Sequence, residues 1–212
     1  MVGNAVEKIR ELSRDQRPWL LVGKGPSLDR RAEFDLVDYH VLTLNHSCRV
    51  IRPTLAHFTD LEAAMECICD LDDQNAPMIL PWHPHVGFRP SPNSIGDYVR
   101  NDSGRRGGLG RMYSRNLLYS YNSTRARNKV DWLPIVHVRF FSAVAGLNLL
   151  AMAGVREIRS IGVDGGTGYA KELDAKDCLA NGRDSFDAQF TEMRKTVAKY
   201  KLNYQRLGGA AL

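Results

Sequence analysis

Short apolar runs that each stop at a glycine or a small polar residue constrain the fold of this chain more than any other feature. Trp19 to Val22 stops at Gly23, Val41 to Leu44 at Asn45 and Ala56 to Phe58 just before Asp60, and the more polar Glu157 to Ile161, with Ile158 and Ile161 apolar, stops at Gly162. Such runs read as buried strands. Between them lie stretches with helical spacing: Ala5 to Ser13, where Val6, Ile9 and Leu12 share a face, Leu61 to Leu71, Ser142 to Ala153 and Ser185 to Tyr200. Strands alternating with helices specify an α/β domain with a mostly parallel sheet. Pro77 to Leu80, closed by Pro81, Ile135 to Val138 and Leu202 to Gln205 read as further strands, and Gly208 to Leu212 as a frayed end.

At 212 residues, 43% of them hydrophobic, the chain can bury one sizeable core, so one domain over 1–212 is expected. No window approaches the roughly 20 apolar residues of a membrane span, and Met1 to Arg14 lacks the apolar core of a signal peptide. These features point to a soluble, cytoplasmic protein. Cys48, Cys67, Cys69 and Cys178 match neither a disulfide framework nor paired zinc knuckles and read as reduced thiols.

The net charge of +5 is concentrated. Arg100, Arg105, Arg106, Arg111, Arg115, Arg125, Arg127 and Lys129 stand in one segment against a single acid, Asp102. That run can meet the phosphates of a nucleotide-sugar, a nucleic acid or an anionic lipid-linked acceptor, or it can be a solvated loop. Because Gly, Ser, Asn and Arg dominate from about residue 91 to 130, this stretch is expected to be an irregular basic lid or insertion.

Gly23-Lys24-Gly25-Pro26-Ser27-Leu28 follows the first strand directly, where an α/β sheet presents backbone N–H groups to a phosphate or nucleotide. Glycine there lets backbone and ligand come close, although the same residues can form a mere tight turn. The motif has neither the spacing of a dinucleotide fingerprint nor the ending of a P-loop, so it points to neither NAD nor Walker-type ATP binding. Asn45 and Asp60 fall at the same sheet edge. An Asn there can hold a sugar or ribose, or form a turn; an Asp can hold a hydroxyl or a metal, or cap the helix from Leu61. Ser142 to Gly146 opens a helix of small residues whose N–H groups can face a phosphate, and Gly162 to Tyr169, with Asp164, follows the last core strand.

In order along the chain, Val22 to Leu28, Leu44-Asn45, Ser142 with its small-residue helix, Glu157-Ile158, and Ile161-Gly162-Val163-Asp164 with Tyr169 resemble single-domain bacterial sialyltransferases. They are equally similar to the related sialyltransferase-like glycosyltransferases of surface polysaccharide and flagellin glycosylation. The likeness covers most of the chain at motif level and leaves Arg100 to Lys129 unmatched. It implies a Rossmann-like domain that transfers an acidic sugar, sialic acid or Kdo, from a CMP-sugar donor to an acceptor hydroxyl. Under it, Gly23, Gly25, Ser27, Ser142 and Asp164 line the nucleotide site, Asn45 lies near the donor sugar, and Tyr169 approaches the phosphate or carboxylate; Lys24 and Asp60, by their places at the same sheet edge, complete the set of candidate binding residues. Such enzymes can work without a bound metal or other cofactor, because hydroxyl and backbone donors stabilise the departing CMP.

The resemblance also expects a catalytic histidine shortly before the last helix, after a glycine, where this chain reads Gly182-Arg183-Asp184. An arginine stays protonated and cannot act as a base. Asp184 is the first candidate for that role, or else caps the helix, and His83 and His85, two apart around Pro84, stand behind it. His40, His46 and His57 read as structural, with His46 close enough to Asn45 to contact a ligand, and His137 falls on an expected core strand.

Two other functions compete. Thr59-Asp60-Leu61-Glu62 is similar to a step in the archaeal pterin diphosphokinases, where two acids hold Mg²⁺ for ATP. A non-catalytic nucleotide or nucleic-acid binder using the basic run is the other, and it lacks any RNA-binding signature. The expected partners are therefore a nucleotide-sugar donor and a glycan or lipid-linked acceptor, without nucleic acid. A lipid-linked acceptor adds peripheral association with the inner face of the membrane to these expectations.

Overall fold

The computed structural model describes residues 1–87, 89–102, 108–138, 141–173 and 185–208. In chain order the elements are β1 (Gly3–Asn4), α1 (Ala5–Leu12), β2 (Trp19–Val22), β3 (His40–Leu44), β4 (Leu55–His57), α2 (Leu61–Asp73) and β5 (Met78–Pro81). There follow β6 (His85–Val86), β7 (Arg89–Pro90), α3 (Ile95–Asn101), α4 (Leu109–Ser114), β8 (Leu118–Ser123) and β9 (Ile135–Val136). The chain closes with α5 (Ser142–Met152), β10 (Glu157–Ile161), α6 (Ala188–Tyr200) and β11 (Asn203–Arg206).

Among the described residues one parallel sheet runs β1-β8-β5-β4-β3-β2-β10-β11, with β9 paired to β8, and β6 and β7 form a separate antiparallel pair. Alternation along the strands sorts the core into layers. Leu21, Leu42, Leu44 and Ile158 face α1, α5 and α6, whereas Leu20, Val22, Val41 and Ile161 face Leu28 on the other side. Farther along that second face, Ala56, Phe58, Met78 and Leu80 pack under α2, α3 and α4. The α/β class with a mostly parallel sheet is the one the sequence implies.

Local chemistry explains the boundaries. Asn4 caps α1, its Oδ1 accepting the Val6 and Glu7 N–H groups at 3.0 and 3.2 Å. Ser94 and Asp97 form a reciprocal capping box at the start of α3. In α5 every residue from Ala143 to Ala151 is buried, because α1 and α6 cover what the sheet leaves open. A methyl on Gly146 would lie 2.9 Å from Leu21 Cδ1 and 3.1 Å from Leu44 Cδ2, so the small residues of α5 do set its close approach to the sheet.

The stretch 91–130 departs from expectation. It is not irregular throughout: it supplies α3, α4 and β8, and β8 lies inside the sheet between β1 and β5. Its sequence, Leu-Tyr-Ser-Tyr-Asn-Ser, hides a core strand because polar side chains are satisfied internally. Ser120 Oγ donates to the Leu80 carbonyl at 2.9 Å, and Asn122 Nδ2 donates to the Val130 and Leu133 carbonyls. Several cations in the segment are neutralised by acids of the chain itself. Arg111 Nε lies 2.7 Å from Asp72 Oδ2, Arg115 binds the same carboxylate, and Arg100 pairs with Asp97. Arg105 and Arg106 lie outside the described residues.

His137 also moves. β9 ends at Val136, and the His137 side chain is 51% exposed, its Nε2 3.6 Å from Glu192 Oε2. Cys178 and most of the expected frayed end, 209–212, lie outside the described residues. No described helix is long and apolar enough to cross a membrane.

Candidate functional site

Strand order sets the position of the site. From β2 the chain steps outward through β3, β4 and β5, then returns to place β10 on the opposite side of β2. The loops leaving β2 and β10 therefore diverge at a switch point, where open α/β sheets form a crevice. A cleft occupies this edge. Gly23, Lys24, Gly25, Asn45, Asp60, Ser142, Asp164 and Tyr169 all line it, as does His85.

The glycines serve a purpose that sequence reasoning did not assign. A Cβ on Gly23 would lie 2.2 Å from the Gly162 carbonyl oxygen, and one on Gly25 would lie 2.5 Å from Asp164 Oδ2. They permit contact between two loops as well as approach of a ligand. The loops are joined by Gly23 N–H donating to the Ile161 carbonyl at 2.8 Å and Gly25 N–H to the Gly162 carbonyl at 2.7 Å. Gly162 has φ +68°, in the left-handed region that favours glycine.

Ser27 and Asp164 complete this tie. Ser27 Oγ accepts the Gly162 N–H at 2.8 Å, and Ser27 is not among the cleft-lining residues. Asp164 Oδ2 accepts the Ser27 N–H at 2.7 Å, Oδ1 accepts from Arg206 at 3.1 Å, and its backbone carbonyl accepts from Gln189 at 2.6 Å. Both carboxylate oxygens thus have intramolecular partners.

Asn45 follows β3 with φ +53°, a conformation Asn tolerates better than most residues. Its Nδ2 donates to Ser142 Oγ at 3.2 Å, and Ser142 Oγ lies 3.1 Å from Thr59 Oγ1. Asn45 Oδ1 is buried without a hydrogen-bond partner among the described residues. Ser142 begins α5, whose first turn has no side-chain cap, so Ser142 and Ala143 bring a positive helix end to the cleft wall.

An aromatic wall faces this helix end. The Phe186 ring meets Tyr169 edge-on at 5.8 Å and Phe141 at 6.3 Å, and Lys24 Nζ lies 5.1 Å from the Tyr169 ring centre. Phe141 and Phe186 were not singled out in the sequence, and Thr59 entered only as part of the Thr59-Asp60-Leu61-Glu62 step. Phe141 carried one signal, its place immediately before the Ser142 helix.

On the same cleft Asp60 meets His85. The two residues form a parallel bridge, His85 N–H donates to the Thr59 carbonyl at 2.9 Å, and His85 Nδ1 lies 3.7 Å from Asp60 Oδ1. The Asp60 side chain makes no cap to α2. His85 is 6% exposed, and its Nε2 has no hydrogen-bond partner among the described residues. His83 is not on the cleft: its Nδ1 donates to the Ser91 carbonyl at 3.0 Å. Of the two histidines that stand behind Asp184 as base candidates, His85 lines the cleft and His83 does not. Asp184 and Arg183 lie outside the described residues.

The remaining imidazoles have structural partners. His40 Nε2 lies 2.7 Å from Asp15 Oδ1, and the imidazole, with Arg17, holds that carboxyl below the usual range. His46 borders the cleft with its Nε2 2.7 Å from Glu66 Oε2. His57 Nε2 lies 2.9 Å from Tyr121 Oη, and complete burial lowers the His57 pKa to about 3 and raises that of Tyr121. Among the described residues no group of three or more His, Cys, Asp or Glu is placed to hold a metal ion. Glu62 is not among the cleft-lining residues, and its Oε1 accepts the Gly87 N–H at 3.1 Å.

The chain matches no protein-family model and no curated protein sequence. Its fold is similar to solved structures of a sialyltransferase. The sialyltransferase CstII of Campylobacter jejuni, in complex with the substrate analogue CMP-3FNeuAc, aligns with a TM-score of 0.50 at 13% identity, covering 92% of this chain and 83% of that one. A variant of the sialyltransferase CST-II in complex with CMP aligns with a TM-score of 0.51 at 13% identity, with the same coverage.

Proposed function

We propose that this chain is a glycosyltransferase that takes an acidic sugar, of the sialic acid or Kdo type, from a CMP-sugar donor. The acceptor is the hydroxyl of a glycan or lipid-linked glycan, in surface polysaccharide or glycoprotein synthesis. The observation that carries this reading is the meeting of the uncapped start of α5 with the unpartnered, buried Asn45 Oδ1 at the switch-point cleft. A helix N-terminus favours a phosphate, and a buried acceptor atom calls for a ligand donor such as a sugar hydroxyl or an exocyclic amine. Solved structures of similar fold hold CMP or a CMP-sugar analogue, a ligand with both groups.

The rest of the cleft fits the same chemistry. Tyr169, Phe186 and Phe141 offer faces and edges to a flat base or a sugar ring, and Lys24 places positive charge beside them. When the bond between the anomeric carbon and the phosphate breaks, negative charge gathers on the phosphate. The α5 N–H groups, the Ser142 hydroxyl and Lys24 are positioned to stabilise it in place, as preorganised donors do. The diphosphokinase reading needs Asp60 and Glu62 on one ion, whereas here Asp60 faces His85 and Glu62 Oε1 accepts the Gly87 N–H. The nucleic-acid reading loses Arg100, Arg111 and Arg115 to acids of the chain itself.

Thermal melts with CMP, CMP-sialic acid, ATP with Mg²⁺, and a UDP-sugar test this. A ligand present at 100 times its dissociation constant adds about 2.7 kcal/mol of stability. Stabilisation by CMP and CMP-sialic acid alone is expected; stabilisation by ATP with Mg²⁺ alone overturns the reading.

A further inference from the structure

We infer that His85 is the proton acceptor of the transfer, with Asp60 as its positioning residue, an assignment that rests on the glycosyltransferase reading above. Transfer requires a group that takes the proton from the attacking hydroxyl. Among the described cleft residues, Asp164 has both oxygens engaged and the His46 ring is bound to Glu66. Lysine, arginine and tyrosine side chains carry their protons at neutral pH. Asp60 and His85 remain, and they are in contact.

The geometry assigns the roles. His85 lines the cleft and is 6% exposed, and its buried Nε2 lacks a hydrogen-bond partner among the described residues, which is costly for a polar atom unless a ligand supplies one. Asp60 Oδ1 faces the other nitrogen at 3.7 Å, a spacing that can tighten when substrate binds. A carboxylate at Nδ1 keeps the proton there and leaves the Nε2 lone pair to the substrate. The backbone holds the pair in place through the His85 N–H bond to the Thr59 carbonyl, the Asp60–His85 bridge, and the Gly87 N–H bond to Glu62.

Thr59 also sets where the base stands relative to the leaving group. Its carbonyl holds His85, while its hydroxyl lies 3.1 Å from Ser142 Oγ at the start of α5. The base and the phosphate site therefore flank one residue. An acceptor oxygen entering between them attacks the anomeric carbon and forms the new C–O bond, and its proton passes to His85 Nε2. The bond from the anomeric carbon to the phosphate oxygen breaks with its electron pair on CMP. The imidazolium formed faces the Asp60 side chain. The other charged or titratable groups around His85 are Glu62 from α2, His83 from its own segment, and Arg125 beyond β8 on the same cleft.

The test uses release of CMP from CMP-sialic acid with water as acceptor, so no acceptor need be known. His85→Ala and His85→Gln are each expected to lower kcat about a hundredfold or more, the range of general-base catalysis, with CMP affinity within threefold of the parent. Imidazole in solution restores part of the rate to His85→Ala. The fall of rate on the acid side of the parent's pH profile is absent in His85→Gln. Asp60→Asn lowers kcat about tenfold and moves the acid limb without changing CMP affinity. Either His85 variant keeping its rate within threefold overturns the assignment and leaves the transferase reading standing, and so does a loss of CMP affinity in proportion to the loss of rate. A parent protein that neither binds CMP nor releases it from CMP-sialic acid overturns the transferase reading itself, and this assignment with it.

Discussion

Asp164 Oδ2 accepts the Ser27 N–H at 2.7 Å across 137 positions of sequence, and this bond closes the loop after β10 onto the turn after β2. Arg206 of β11 holds the other oxygen and Gln189 of α6 holds the Asp164 carbonyl, so one aspartate joins four elements at the rim of the cleft. Asp164→Asn puts an amide nitrogen, itself a donor, against either the Ser27 N–H or the Arg206 guanidinium. A buried donor left unmatched costs about 1–3 kcal/mol. We predict a loss of that size in denaturant melts, with weakened CMP binding because the cleft wall loosens. Asp164→Asn with parental stability would show that the tie is not a stabilising one.

Two glycines that look alike in sequence are expected to respond in opposite directions. A methyl on Gly25 meets Asp164 Oδ2 at 2.5 Å and the Gly162 carbonyl oxygen at 2.9 Å, so Gly25→Ala forces the loops apart at a cost of about 1–3 kcal/mol. Gly110 lies within α4, and its nearest contact for an added methyl is the Asp102 carbonyl oxygen at 3.4 Å. Gly110→Ala gains helix propensity, about 0.5–1 kcal/mol. Melting both variants beside the parent checks the pair, and equal effects would refute the loop-contact argument.

His57 gives stability a dependence on pH. It is fully buried, and burial lowers its pKa from 6.5 to about 3. The unfolded chain therefore binds a proton between pH 6.5 and 3 that the folded chain refuses. Stability falls as pH falls through that window, by about 1.4 kcal/mol per unit, or about 2 kcal/mol from pH 6.5 to 5. His57→Gln keeps a polar partner for Tyr121 and removes the titration. Urea melts at pH 7 and pH 5 should show a shallower loss in the variant; the same slope in both would acquit His57.

The sheet was legible where a strand is a compact apolar run with a polar stop. Trp19 to Val22 appears with the expected ends, and so does Glu157 to Ile161, where Ile158 and Ile161 alone carry the apolar pattern. β8 was not, because its stability comes from Ser120, Tyr121 and Asn122 finding partners on segments that only the fold brings near. The site divides the same way. Residues at strand ends, Gly23, Asn45 and Asp60, were visible because position after a strand predicts position at the crevice. The contact of Asp60 with His85 was not, since the 24 residues between them hold a helix and a strand that must pack first. Likewise, the glycine turn was legible as a close approach, but its neighbour is Asp164 as much as any ligand.

Asn45 allows its backbone and side-chain roles to be separated. Its φ of +53° costs a residue such as alanine about 1–2 kcal/mol and costs glycine nothing. Asn45→Gly therefore preserves the turn after β3 while removing both the Nδ2 bond to Ser142 and the unpartnered Oδ1. Asn45→Ala removes the same groups and adds backbone strain. If the amide contacts the donor, both variants lose about one hydrogen bond of affinity, which raises the CMP dissociation constant about tenfold. Only Asn45→Ala should also lose the extra 1–2 kcal/mol or so of stability. Calorimetric titration with CMP and thermal melts measure the two quantities independently. An Asn45→Gly protein that binds CMP as tightly as the parent would place the nucleotide away from the end of β3, and the buried Oδ1 would then face some other part of the substrate.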